Sequence, residues 1–218
     1  MHWATDWPWV ALFALGAYHG LNPGMGWLFA VALGLQENTS RAVLRALPPI
    51  AFGHLISIGL VVMALELAQP RLPRWTLRFL TAAILLAFGL FRLIRSRHPR
   101  WVGMRVGFRD LILWSFLMAS AHGAGLMLAP ILLGWPQQDH EHRMASVLPS
   151  LPGALPASAV RWWLPVVIHT LGYLTITALV ALVVYWKLGV AILRRAWFNL
   201  DLVWAIALVA TGLLCLLL

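Results

Sequence analysis

Gly16-Ala17-Tyr18-His19-Gly20-Leu21-Asn22-Pro23-Gly24-Met25 lies inside an apolar run that extends from about residue 7 to about residue 35. Such a run exceeds the ~20 apolar residues that carry a helix across a bilayer, yet Asn22-Pro23-Gly24 interrupts it. A proline in a helix interior removes one backbone donor and frees a carbonyl about four residues back, here near His19. Gly20, Gly24 and Gly26 let the backbone leave helical angles and let another helix approach. Unwound backbone at membrane depth is tolerated only where protein buries it or it lines a cavity. The stretch therefore predicts a membrane helix broken at Asn22, Pro23 and Gly24, with His19 turned to the protein interior and carbonyl oxygens exposed at the break.

Five further apolar runs follow, at about 47–67, 79–95, 111–133, 163–186 and 200–218. The chain is 61% hydrophobic and 11% charged, with mean hydropathy +0.83. A soluble domain carries about twice that charged fraction, so residues 1–218 read as one all-α, polytopic membrane domain. No removable signal peptide is expected, because the first run is long and follows Asp6 rather than a basic start. The net charge of +9 does not point to nucleic acid. The arginines stand in short loops between apolar runs, where they set topology or meet anionic lipid, and the expected partner is the bilayer. Cys215 is the sole cysteine, which excludes an intrachain disulfide and a Cys-rich metal site. Trp7, Trp9, Trp75, Trp135, Trp162, Trp163 and Trp186 gather near the ends of the runs, as interfacial anchors do.

Basic residues orient the six runs. Arg41, Arg45, Arg92, Arg95, Arg97, Arg100, Arg105, Arg109, Lys187, Arg194 and Arg195 fall on one side, and Arg71, Arg74, Arg78, Arg143 and Arg161 on the other. Eleven against five places the first set in the cytoplasm and both termini outside, in a cell inner membrane. The two halves also resemble each other. Tyr18-His19-Gly20 in the first run matches Ala121-His122-Gly123 in the fourth, His54 and His169 lie at similar depth in the second and fifth, and Gly89 and Gly212 sit in the third and sixth. Repeat one spans about 7–97 and repeat two about 110–218, with a polar loop at 134–161. Three helices per repeat invert the second relative to the first, and such repeats place a substrate site near the midplane at their interface.

Four histidines lie within these runs, and a titratable ring in hydrocarbon is a functional hypothesis by default. His19 and Met25 flank the first break. Met118 and His122 are four apart on one helical face, Met127 stands five beyond His122, and Pro130 follows. Neutral imidazole suits nickel, cobalt, copper, zinc and iron, while thioether adds a preference for softer ions. His19, His122, Met25, His54, His169 and Met127 are thus the candidate metal ligands, with His19 and His122 expected to share an ion. His54 and His169 serve as further ligands or relays. In the long loop, Gln137-Gln138-Asp139-His140-Glu141-His142 is a candidate weak metal collector through His140 and His142. Glu66 is a candidate entrance carboxylate or an interfacial anchor, and Asp110 and Asp201 open helices where an acid complements the dipole.

The stretch 16–25 also resembles the first-helix signature of NicO-type nickel/cobalt permeases, Gly-x-x-His-Gly-x-x-Pro-Gly-His, within the LysE-like transporter superfamily. The resemblance covers about ten residues, and the six-helix architecture agrees with it. It implies transport by two three-helix halves, with His19 in the place of the family's first histidine. Met25 stands where that pattern has its second histidine, so a site with two imidazoles from the first helix does not carry over.

These readings converge on a membrane transporter for a transition-metal cation such as nickel, cobalt or a softer ion like copper. No nucleotide-binding motif is visible, so an ion gradient, a membrane potential or a partner subunit would drive it; a partner subunit or a homo-oligomer is the candidate assembly. No catalytic set of an enzyme is apparent. The alternatives are an electron-transfer protein holding b-type haem between histidine pairs, and a factor delivering metal for enzyme maturation.

Overall fold

The structure is a computed structural model that describes residues 7–94, 107–134, 157–188 and 200–217. These residues form helices joined by short turns, with no strand among them. The helices are α1 (Trp7–Leu21), α2 (Trp27–Gln36), α3 (Ser40–Ala68), α4 (Arg74–Ile94), α5 (Phe108–Ala121), α6 (Ala124–Gly134), α7 (Ala157–Val183) and α8 (Leu200–Leu217). A 3₁₀ turn, Pro23–Met25, separates α1 from α2. Three described helices are long and apolar enough to cross a membrane: α3, α4 and Trp162–Lys187, which takes in most of α7. A fourth results if α5 and α6, bent by 55° at their break, count as one span. The first run divides into pieces of 15 and 10 residues. At ~1.5 Å per residue neither piece reaches across ~30 Å of hydrocarbon by itself. Large apolar side chains such as Val10, Leu67, Ile94 and Leu217 cover the outer surface.

Local chemistry explains where helices begin. The Thr39 hydroxyl accepts the Arg41 N–H at the start of α3, as an N-cap should. The helix thus starts seven residues ahead of the apolar run and carries Pro48 and Pro49 within it. At α5 the Asp110 carboxylate accepts the Gly107 N–H at 2.8 Å, satisfying an otherwise orphan donor beside the positive end of the helix dipole. α7 begins at Ala157, within the stretch expected to be loop.

Close approach of helices is set by glycines, and their contacts give direction to the packing. A Cβ at Gly16 would overlap the His169 carbonyl, one at Gly20 would lie 2.6 Å from the Tyr173 carbonyl, and one at Gly172 would overlap the Phe13 carbonyl. Contacts advance together along both chains, so α1 runs parallel to α7. Gly53 similarly meets the Ile112 carbonyl, Ser115 donates to the Ile50 carbonyl at 2.7 Å, and the Ser57 and Ser120 hydroxyls bond at 2.9 Å. α3 therefore runs parallel to α5. Gly89 packs on Leu208 and Val209 while Gly212 packs on Leu85 and Leu86, which makes α4 and α8 antiparallel. The rings of His54 and His169 meet and Gly59 lies against Trp163, so α3 and α7 cross antiparallel at the centre.

Candidate functional site

The central crossing of α1, α3 and α7 holds three imidazoles. His19 lies 5.9 Å from His54 and 5.0 Å from His169, ring centre to ring centre, and His54 lies 5.6 Å from His169. All three are fully buried. The His54 and His169 rings are nearly parallel, with 5° between planes, and His19 meets both edge-on at 65° and 70°. Tyr173 stacks on the other side of His54 at 3.8 Å. Each ring arrives by a different local device. His19 stands in the last turn of α1 just before the break, His54 follows Gly53 at its tight contact with α5, and His169 supplies the carbonyl against which Gly16 packs.

Hydrogen bonding sets the tautomer of one ring. His19 Nδ1 lies 2.7 Å from the Leu15 carbonyl; since a carbonyl only accepts, Nδ1 carries the proton and the lone pair of the neutral ring is on Nε2. Both nitrogens of His54 and Nε2 of His169 have no hydrogen-bond partner. The Leu12 carbonyl lies close to the His169 ring, without an aligned hydrogen bond to it. Buried polar atoms left in this way are uncommon and call for an explanation. As they stand, the nitrogens do not converge on one point: among the described residues no three His, Cys, Asp or Glu side chains are arranged to hold a metal ion.

The break at Asn22, Pro23 and Gly24 is internally satisfied. The Asn22 side chain accepts the Gly24 N–H at 2.9 Å, and the Asn22 N–H donates to the His19 carbonyl at 3.2 Å. Trp27 donates its indole N–H to the Leu21 carbonyl at 3.1 Å, Trp114 to the Gly24 carbonyl at 2.9 Å, and the Tyr173 hydroxyl to the Met25 carbonyl. The oxygens expected to be exposed at the break are thus held by side chains of α2, α5 and α7. Gly26 closes the turn at φ +128°, a conformation open essentially to glycine alone.

The other candidates lie apart. His122 caps the end of α5, and its Nδ1 sits 2.7 Å from the Met118 carbonyl, the same tether to the residue four back that His19 makes. Its Nε2 faces the Arg92 guanidinium at 3.4 Å. The His122 ring engages Arg92 rather than the trio. Met25 is fully buried in the apolar core beside the turn, and Met118 reaches the break, its methyl 3.2 Å from where a Cβ on Gly24 would be. Met127 packs with Leu85 and Leu208. His140 and His142 lie outside the described residues. Glu66 is half-buried near the end of α3, twelve residues or about 18 Å of helix rise from His54. Trp27 and Trp114 are site residues that the sequence does not single out. Their only trace in sequence is an indole donor within apolar runs, which says nothing of the carbonyl it will meet.

Fold and site together define an all-helical protein with helices fit to cross a membrane and a buried histidine trio at the meeting of α1, α3 and α7. No protein-family model, curated protein or solved structure matches the chain.

Proposed function

We propose that this chain is a multi-pass permease for a transition-metal cation, seated in the cytoplasmic membrane with both termini on the outer side. The observation that carries the reading is the fully buried trio His19, His54 and His169, with ring centres 5.0 to 5.9 Å apart. Burying three imidazoles without bonding all their nitrogens costs free energy, and a cation accepting their lone pairs offsets that cost. A metal–imidazole bond is about 2.0–2.1 Å, so the rings must turn to bring Nε2 of His19 and a nitrogen of each partner onto one ion. The ion is cargo in this reading.

Six spans and two inverted repeats complete the proposal. The first helix of each half runs parallel to the second helix of the other half (α1 with α7, α5 with α3), while the two second helices and the two third helices cross antiparallel. A two-fold axis in the membrane plane generates this set of pairings. In such proteins the substrate site lies at the interface between repeats, beside broken helices. The resemblance of residues 16–25 to the NicO-type signature points the same way.

Purified protein tests the reading, through metal retention with nickel, cobalt, copper or zinc and uptake of those ions into proteoliposomes. His19→Ala, His54→Ala and His169→Ala are each expected to lose most retention, because removing one ligand from a shared site removes most of its affinity. Retention by His122→Ala separates this trio from a site shared by His19 and His122. Purified protein with an intense haem band and no metal uptake would establish the electron-transfer alternative instead.

A further inference from the structure

We infer that His122 is an alternating member of the site: in a second state of the protein it takes the place of His19 against His54 and His169, while His19 withdraws. The inference rests on the inverted-repeat permease reading. It starts from an asymmetry between parts that are otherwise alike. His19 stands in the last turn of α1 and His122 caps α5, each is followed by glycine and a helix break, and each ties Nδ1 to the carbonyl four residues back at 2.7 Å. Locally they are equivalents. Globally it is His19 that meets the central pair, at 5.0 Å from His169 and 5.9 Å from His54, while the His122 ring faces Arg92.

The helix pairings around them are nearly interchangeable. Exchanging the halves turns α1 on α7 into α5 on α3, and leaves the α3–α7 and α4–α8 crossings in place. If each half adopts the conformation the other now has, the same helix pairings recur with the roles reversed. His54 and His169 then stay at the centre and His122 enters from the opposite side. The hold on His122 has no counterpart in α8. Arg92 of α4 faces Nε2 of His122 at 3.4 Å, whereas α8 (Leu200–Leu217) carries no basic residue that would hold His19 in the same way. Arg92 therefore biases the pair of states toward the one described, in which His122 is held off the site. A cation that receives its third ligand from His19 on one side and from His122 on the other is handed across the midplane without leaving its two central ligands.

Double-cysteine variants in a Cys215→Ser background read both states with a short, membrane-permeant bifunctional thiol reagent. The pair His19→Cys with His169→Cys reports the state described. Its partner under exchange is His122→Cys with His54→Cys. Leu85→Cys with Gly212→Cys, on α4 and α8, is unaffected by the exchange and certifies folding. Cross-linking of both reporter pairs is the expected result. Linkage of the first pair and the control but never of the second overturns the inference while leaving the trio intact. Linkage of the control alone overturns the trio and the inference together. Arg92→Gln is expected to lower the yield of the first pair, through about a tenfold shift in the ratio of states, the effect of one charge-assisted hydrogen bond. An unchanged yield overturns the role of Arg92. Because cross-linking needs no cargo, failed metal uptake with both pairs linked would count against the permease reading and not against the exchange.

Discussion

A single tyrosine joins the two features that make the site. Tyr173 stacks on His54 at 3.8 Å and donates its hydroxyl to the Met25 carbonyl at the helix break. Tyr173→Phe keeps the stacked ring but strips a buried carbonyl of its donor, at a cost of about 1–3 kcal/mol. We expect a lower melting temperature in detergent, with metal retention largely kept because His54 is still packed. Tyr173→Ala also opens a cavity beside His54, at a cost of about 3–5 kcal/mol, and should lose retention as well. If the two variants behave alike in retention, stacking does not hold the His54 ring. At this scale Met127 has a simpler part: it fills space between Leu85 and Leu208, so Met127→Leu should leave retention unchanged.

Elements are shaped by two glycines with positive φ. Gly26 at φ +128° ends the 3₁₀ turn, and a Cβ there would also lie 2.7 Å from Ile50. Gly26→Ala is expected to cost about 1–3 kcal/mol in backbone strain alone, read as a lower melting temperature and reduced yield. Gly123 at φ +67° turns the chain from α5 into α6. That is the left-handed region, which asparagine tolerates better than β-branched residues do. Gly123→Asn should therefore be milder than Gly123→Val, and the reverse order of stabilities would mean that the contact with Leu208, 3.0 Å from a Cβ, outweighs backbone strain.

For the molecule as a whole, the approach of α1 to α7 decides whether a site exists. Gly16 and Gly172 let the two backbones touch, and even one methyl group meets a carbonyl oxygen. Gly16→Ala or Gly172→Ala must push the helices apart, at a cost of about 1–3 kcal/mol. Because His19 and His169 stand on this same pair, metal retention should fall with stability. Gly107→Ala, where a Cβ meets only the Asp110 carboxylate at 3.3 Å, is the near-neutral comparison. Orientation is tested separately in the Cys215→Ser background. His2→Cys and Ala145→Cys should react with an impermeant thiol reagent added to intact cells, and Arg97→Cys only after lysis. The opposite pattern reverses the topology drawn from the distribution of arginine and lysine.

Helical class, apolar segments and the break after His19 were legible in the sequence because each follows from local physics. Hydrocarbon demands long apolar runs with their backbone bonded internally, and Pro23 between Gly20 and Gly24 interrupts one of them wherever it is placed. Which histidines meet was not legible. Matching motifs suggest His19 beside His122, whereas the structure sets His19 against His54 and His169 and turns His122 to Arg92. The deciding contacts join residues more than a hundred positions apart, Gly16 with His169 and Phe13 with Gly172, and small residues permit many such crossings without specifying one. The same holds for the carbonyls at the break, which Trp27, Trp114 and Tyr173 satisfy from three helices. Apolar length and helix breakers are properties of a segment by itself; the partners of a freed lone pair are decided only when the helices have packed.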